Sequence, residues 1–522
     1  MRLGYYCLAL GLCLLLQQDL HQDLVQAANI LGIFPYHIIS PYLVMQPFVR
    51  TLVKRGHNVT LITPEGMPND LDGVRHIRVP KLNIRIKQML ESDQLLDFMI
   101  NKWTESALTA KVLFNASHDI LSDPGVQRML HDRNERFDLI MMEPTNLDAL
   151  YGLVEYYNAT LMGFSSVRIN WNIEELAGNP APIVYEPISP IGYSLDSSFL
   201  SRIYNWIHIT EEKFLENLMI RPAQLRIFQQ FFGYSAEKLN ELRTRFSVIL
   251  SNNHYSLGKV RANVPNIIEV GGLHLSEPPE PCDEDLQKFM DDAEYGVIYF
   301  SLGLDIFIKF LPMDIQQPLL QSFAKLKQRV IWKNELFSVP NKSDNVYVIE
   351  KAPQRSILKH PKVRLFITNG GLLSVMEAVD SGVPMLGLPM FFDQFGNLRW
   401  GELAGIVEVL DINALNEETL TTTIQKIIEN PKYAQRAKEM SQLFRDRPMS
   451  PLDTAVWWTE YALRNRNISR MRLNVEEIPL IQYYAIDSIL TFGFRFGLIA
   501  VSVFFLCYSL FHKSRGRQRF MR

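Results

Sequence analysis

Apolar residues recur along this chain in short blocks of four to six, each bounded by glycine, proline or asparagine and spaced by stretches of helical periodicity. The block 30–34 (ILGIF) predicts a buried strand, 36–41 a loop, and 42–54 a helix placing Leu43, Pro47, Phe48, Leu52 and Val53 toward a sheet. Pro47 within it predicts a kink or a late start. Gly56 closes that helix and 59–62 is the next strand. Strand, helix and strand within ~35 residues make a βαβ unit and hence a parallel sheet. Residues 137–142 and 246–251 are further strands, and 203–232 is a long amphipathic helix. From 263 to 285 the composition shifts to Pro265, Gly271-Gly272 and Pro278-Pro279-Glu280-Pro281, a linker. Beyond it, strands at 297–300, 330–332, 346–349, 365–367 and 385–388 alternate with helical stretches such as 312–327. The pattern predicts an α/β protein of two doubly wound parallel sheets. Residues 451–464 form a terminal helix, and 474–487 a short amphipathic approach to the apolar run that follows.

One stretch concentrates chemistry. In 363–397, VRLFITNGGLLSVMEAVDSGVPMLGLPMFFDQFGN, a strand runs into Thr368-Asn369-Gly370-Gly371 and then into a helix closed by Gly382. A second strand follows, with Asp393-Gln394 in the loop after it. Unpaired N–H groups and the helix dipole at such a turn suit a diphosphate. A glycine pair taken alone marks a tight turn just as readily. In open parallel sheets both loops would face one crevice at the carboxyl ends of the strands.

At 522 residues the chain exceeds a single core and suffices for two domains. A formal charge of -3 excludes a global basic field and, with it, a nucleic-acid partner. The four cysteines exclude a disulfide framework, because Cys7, Cys13 and Cys507 lie in terminal apolar runs and only Cys282 remains in the body. Arg2, the apolar run 5–16 and Ala27-Ala28 read as a secretory signal peptide. The run 489–511, interrupted by Arg495 near one end, has membrane-spanning length. Lys513, Arg515, Arg517, Arg519 and Arg522 follow it and place that tail in the cytosol and the body in the lumen. Sequons at Asn58, Asn115, Asn158, Asn341 and Asn467 suit a lumenal body, with Asn58 expected to be buried in its strand.

These motifs resemble the membrane-bound UDP-glycosyltransferases, the UDP-glucuronosyltransferase family. The resemblance is carried by ILGIFP at 30–35, RGHNVTLITP at 55–64, GNPAP at 178–182, IEVGGLHL at 268–275, YFSLG at 299–303, APQRSILKHPKVRLFIT at 352–368 and the stretch just described. It implies a GT-B fold with an acceptor-binding domain at 29–262, a linker at 263–285 and a UDP-sugar-binding domain at 286–450. Terminal helices at 451–488, the span at 489–511 and the basic tail complete it. It further implies transfer of a hexose, glucose or glucuronate, from a UDP-sugar to a small lipophilic acceptor with inversion. The setting is the endoplasmic reticulum membrane, with the UDP-sugar as co-substrate, no further cofactor, no metal, and oligomers with itself or relatives. Mapped onto the motif, Gln354 lies beside uracil and ribose, Glu377 accepts from the ribose hydroxyls, and Gly303, Asn369, Gly370, Gly371 and Ser374 surround the diphosphate. Asp393 and Gln394 hold the sugar.

The resemblance breaks where catalysis needs it. The family's histidine base after the first strand aligns with Pro41, which has no side-chain base. His37, four residues earlier, is a candidate substitute or an ordinary loop histidine. Glu143 matches the acid that orients that base, with Asp148 a second candidate. Asn369 replaces a histidine and loses its charge-assisted phosphate contact. Lys351 stands where an aromatic stacks on uracil, a contact worth ~1–3 kcal/mol per base in nucleic-acid binding proteins. Leu304 stands where a small hydroxyl residue is usual. Two functions follow: a transferase with an altered site, or a non-catalytic protein that retains the fold to bind a UDP-sugar or lipophilic ligand, or to pair with active relatives.

Overall fold

The computed structural model describes residues 27–35, 39–65, 71–84, 115–179, 198–258, 261–303, 313–334, 342–390, 393–466, 471–473 and 479–520. The expected signal peptide up to residue 26, His37, Leu304, Asn341 and Asn467 lie outside them. The first sheet is built from β1 (Asn29–Ile33), β2 (Asn58–Pro64), β3 (Val74–Val79), β4 (Leu139–Met142), β5 (Thr160–Ser165), β6 (Phe246–Ser251) and β7 (Ile267–Glu269). Its order is β3-β2-β1-β4-β5-β6-β7. The second contains β8 (Val297–Ser301), β9 (Arg329–Lys333), β10 (Val346–Ile349), β11 (Val363–Thr368), β12 (Met385–Gly387) and β13 (Val407–Val409), ordered β10-β9-β8-β11-β12-β13. The pairings in both sheets are parallel.

Burial on both faces explains why these strands read as unbroken apolar runs. On one face of the first sheet Leu31 and Ile33 join Ile140 and Met142; on the other Ile30 and Phe34 join Leu139 and Met141. In the second, Tyr299 and Phe366 face one layer while Ile298, Phe300, Leu365 and Ile367 face the other. The half-buried edge strand β3 and the three-residue strands β7 and β13 lack such a run, and the sequence pattern missed them; it also missed β5, which is buried throughout but broken by Gly163. The expected linker 263–285 is therefore not all connection, since Ile267–Glu269 closes the first sheet by pairing with β6.

Helix α1 (Ile39–Lys54) starts before the predicted Tyr42 and runs through Pro47. Pro41 lies in its first turn, where a missing N–H leaves nothing unpaired. The carbonyl deprived by Pro47 belongs to Leu43, which is exposed rather than turned toward the sheet as predicted, so water can reach it. Asn58, expected to be buried, is exposed at the first position of β2 and donates to Asn29 Oδ1 at 3.0 Å. The predicted helix 203–232 divides into α2 (Phe199–Leu215), one π turn and α3 (Arg221–Phe232).

After the second sheet, α4 (Pro451–Arg464) returns to the first. Ala455, Val456 and Ala462 pack with Ile30, Val49 and Phe164. Arg55 grips Glu460 through two bonds, one of them Nη2 to Oε2 at 2.9 Å, and His57 Nε2 lies 3.7 Å from the same carboxylate. The last helix, Ile486–Phe520, contains one stretch, Ile486–Leu510, with mean hydropathy 2.1 and no burial. That stretch is long and apolar enough to cross a membrane.

Candidate functional site

Strand order reverses once in each sheet, between β1 and β4 and between β8 and β11. Connections leaving such a pair go to opposite faces, so a crevice opens at their carboxyl ends. The predicted residues fall there: Pro41 after β1, Glu143 after β4, Gly303 after β8, and Asn369, Gly370 and Gly371 after β11.

The β11 loop is a tight turn. Gly370 has φ +86°, and a Cβ on it would lie 2.3 Å from Leu398 Cγ, so only glycine fits. Its N–H donates to Thr368 Oγ1 at 3.2 Å, and Gly371 N–H donates to Asn369 Oδ1 at 3.3 Å. Asn369 is buried, and a Cβ on Gly303 (φ +99°) would lie 3.2 Å from Asn369 Nδ2. The β8 and β11 loops thus touch. Lys333, at the end of β9, donates from Nζ to Gly303 O at 2.9 Å. The helix that follows, Leu372–Ser381, has no side-chain cap at its start. Its first amides are donors toward the crevice.

Three more of the predicted residues form one network. Gln354 Nε2 donates to Ser374 Oγ at 3.0 Å and to Glu377 Oε2 at 2.7 Å. Tyr299 OH donates to Gln354 Oε1 at 3.1 Å. Burial pushes the Glu377 carboxyl up to about 7, against the Gln354 hydrogen bond and the charge of Arg355. His274 Nε2 lies 3.6 Å from Glu377 Oε1. Burial, with Arg355 nearby, pushes that imidazole down to about 3, so it is neutral. Arg355 fixes the His274 turn by donating to His274 O at 3.1 Å and Leu275 O at 2.9 Å. Lys351 is exposed just before the short helix Gln354–Lys359.

Asp393 and Gln394 open the helix Gln394–Ala404. Gln394 Oε1 accepts from Met390 N at 2.9 Å. Asn397 Nδ2 donates to Asp393 Oδ2 and to Gly370 O, both at 3.0 Å, joining the two loops. Burial raises the Asp393 carboxyl, with Asn397 and Arg168 opposing. Arg168 follows β5 of the first sheet, and its Nη1 lies 3.5 Å from Asn397 Oδ1. The carboxyl-end loops of the two sheets therefore meet.

On the first sheet, Glu143 is buried. Its Oε1 accepts from Ser166 N at 2.9 Å and Ser165 Oγ at 3.2 Å, and its Oε2 from Ser166 Oγ at 3.1 Å. Burial outweighs these bonds and lifts its carboxyl to about 7. Asp148, the second candidate, is committed elsewhere: it pairs with buried Arg243, which also faces Glu216 and Glu175. Among the described residues no cluster of three or more His, Cys, Asp or Glu is placed to hold a metal ion.

Tyr299, His274, Lys333, Asn397 and Arg168 were not singled out from the sequence. Asn397 was readable, one helical turn after Asp393. His274 and Arg168 reach the crevice from segments distant in sequence and carry no local signal.

Two doubly wound parallel sheets, with loops meeting at their switch points, make up the GT-B fold. CalG4, the calicheamicin glycosyltransferase, has a similar structure, with TM-score 0.57 and 15% identity over 84% of this chain and 99% of that one. VinC in complex with DTDP has TM-score 0.55 and 14% identity over 84% of this chain and all of that one. At these identities the likeness concerns the fold. The model of the UDP-glucoronosyl and UDP-glucosyl transferase family matches residues 33–517, and the chain belongs to that family. UDP-glucosyltransferase 2 of Dactylopius coccus is 32% identical over 498 residues, 93% of each chain. 2-Hydroxyacylsphingosine 1-beta-galactosyltransferase of Rattus norvegicus is 28% identical over 92% of this chain and 88% of its own. UDP-glucuronosyltransferase 2A3 of Cavia porcellus is 25% identical over 89% of each.

Proposed function

We propose that this protein binds a UDP-hexose, glucose or glucuronate, in the second sheet's crevice and transfers the hexose, with inversion, to a small lipophilic acceptor held against the first. The observation that carries the reading is the Gln354–Ser374–Glu377 network beside the Asn369-Gly370-Gly371 turn. A carboxyl for ribose hydroxyls and the uncapped first amides of the helix Leu372–Ser381 for a diphosphate stand side by side there. UDP leaves with growing negative charge, which those helix N–H groups stabilise as the bond breaks. Asp393 and Gln394 take the sugar. Glu143, with a carboxyl near 7, takes the orienting-acid position on the acceptor side, and His37 is the candidate substitute base. Ile486–Leu510 anchors the chain in the endoplasmic reticulum membrane with its body lumenal and its basic tail cytosolic.

One observation favours a second reading. Pro41, in the base's place, is buried and offers no proton acceptor. In that reading the crevice binds a nucleotide sugar without turning it over.

The test is titration of the full chain with UDP-glucose and UDP-glucuronate, followed by transfer assays on a phenol panel beside Pro41→His. Turnover by the unaltered protein establishes the transferase. Binding with turnover only in the variant, a gain of ~10²–10⁴-fold from a restored base, establishes the binding protein. Failure of both sugar nucleotides to bind refutes both readings.

A further inference from the structure

Helix α2 is turned inside out relative to an ordinary surface helix. At about 100° per residue, Asn205, Ile209, Glu216 and Ile220 share one side of α2 and the π turn after it, and all four are buried. The opposite side carries Leu200, Ile203, Ile207 and Phe214, with Phe199 and Trp206 along one border, all exposed, with Leu200 at 76% and Phe199 and Phe214 above 60%. A soluble body rarely leaves a continuous apolar stripe of this kind uncovered. Trp206 on one flank and Tyr204 on the other are the residue types that settle at the boundary between headgroups and acyl chains.

The chain's own path says what covers this stripe. The buried side of α2 rests on Trp171, which packs on Ile209 and donates from Nε1 to Glu212 Oε2 at 2.6 Å. Trp171 opens the short helix Trp171–Ala177, which ends at Gly178. There the polypeptide returns on its way to the apolar helix. A Cβ on Gly178 would lie 2.5 Å from Leu473 O and 2.7 Å from Arg472 Cγ, and Arg472 Nε donates to Leu176 O at 3.4 Å. The apolar stretch begins at Ile486, thirteen residues after Leu473. Even fully extended, that tether reaches only about 45 Å. The Gly178 end of the helix on which α2 rests is therefore tethered within that distance of the place where Ile486–Leu510 would enter the bilayer.

We infer that the exposed face of α2 lies in the bilayer interface, as a second contact with the membrane beside the C-terminal helix. The inference rests on the reading of Ile486–Leu510 as a membrane span. An interfacial helix buries its apolar face ~5–10 Å into the headgroup–acyl boundary. That fixes the tilt of the first sheet over the membrane, and with it the side from which an acceptor dissolved in lipid arrives.

The test uses the full chain in phosphatidylcholine vesicles whose acyl chains carry bromine, a short-range quencher of indole emission. The protein has seven tryptophans, so Trp206 is read as the difference between the unaltered chain and Trp206→Phe. The expected result is loss of most of that difference signal in brominated lipid, with little response to aqueous acrylamide. A paired variant, Leu200→Glu with Ile203→Glu, substitutes exposed positions. It is expected to keep the unaltered melting temperature while Trp206 becomes accessible to acrylamide. A difference signal insensitive to bromine and quenched by acrylamide overturns the inference. So does disulfide formation between Ile203→Cys chains, which would put a second copy on this face. Complete extraction of the unaltered chain by alkaline carbonate instead refutes the span reading, and is told apart from the others because it removes the protein from the vesicles.

Discussion

Gly370→Ala tests the centre of the crevice. Gly370 has φ +86°, a region in which an L-residue costs about 1–2 kcal/mol. The added methyl would lie 2.3 Å from Leu398 Cγ and 2.5 Å from its Cδ1, an overlap of the kind that costs about 1–3 kcal/mol. Together the loss is about 2–5 kcal/mol, a fall in melting temperature of roughly 4–20 °C for a domain of this size. Because Gly370 O also accepts from Asn397, which holds Asp393, relaxation of the turn should weaken UDP binding as well. The assay is thermal unfolding of the full chain in detergent with UDP calorimetry. Leu398→Ala supplies the control: it opens a cavity by itself, yet combined with Gly370→Ala it should recover about 1–3 kcal/mol as a favourable coupling. A Gly370→Ala chain that melts within about 2 °C of the unaltered one and binds UDP equally refutes the reasoning. Strict additivity with Leu398→Ala refutes the steric part alone.

Glu143 has a carboxyl raised from 4.5 to about 7 in the folded chain, so its proton is held more tightly there than in the unfolded chain. Its stabilising contribution is full below about pH 4.5 and is lost as pH rises through 7; Glu143→Gln should therefore gain stability over the unaltered chain at pH 8, by up to roughly 3 kcal/mol, and not at pH 4.5. Melting curves at the two pH values check this, and an equal effect at both contradicts it. Glu377 has the same shift, and in the proposed site ribose hydroxyls donate to its ionised form, so UDP affinity should rise from pH 6 to 8 in the unaltered chain and stay level in Glu377→Gln. Arg243→Leu leaves Asp148 buried without its cation, while Glu216 keeps Arg221, and should cost about 3–5 kcal/mol in chemical denaturation. Asn369→His restores a charge-assisted phosphate contact and should tighten UDP binding below pH 6.5 by about 1 kcal/mol, read by calorimetry.

Much of this was legible in the linear sequence. Parallel strands covered on both faces are apolar throughout, so β1, β4, β6, β8 and β11 announce themselves, and the spacing between them fixes a doubly wound order. The glycine pair 370–371 after an apolar strand marked the turn directly, whereas Gly303 and Glu377 were singled out only through the resemblance to the family's motifs. The departures at Pro41, Asn369 and Lys351 were equally plain, because each is a change of residue type at a known position. Of the four edge strands only β10 was legible: β3 is half exposed, and β7 and β13 have three residues each, too few for a pattern.

What only the tertiary structure decided concerns partners and directions. Gln354 bonds Glu377 and Ser374 across some twenty residues, His274 reaches Glu377 from a presumed linker, and Arg168 reaches Asn397 from the other sheet. Nothing local encodes those meetings, since each depends on two loops brought together by packing elsewhere. Asp148 and Glu143 are both acids after the same strand, and only their surroundings assign one to Arg243 and the other to the serines of β5. The clearest case is α2. Periodicity marks it as amphipathic, but a helix with an apolar stripe has the same sequence whether that stripe faces a core or the outside. Its packing through Ile209 and Asn205 turned the stripe outward, and that orientation is a property of the fold.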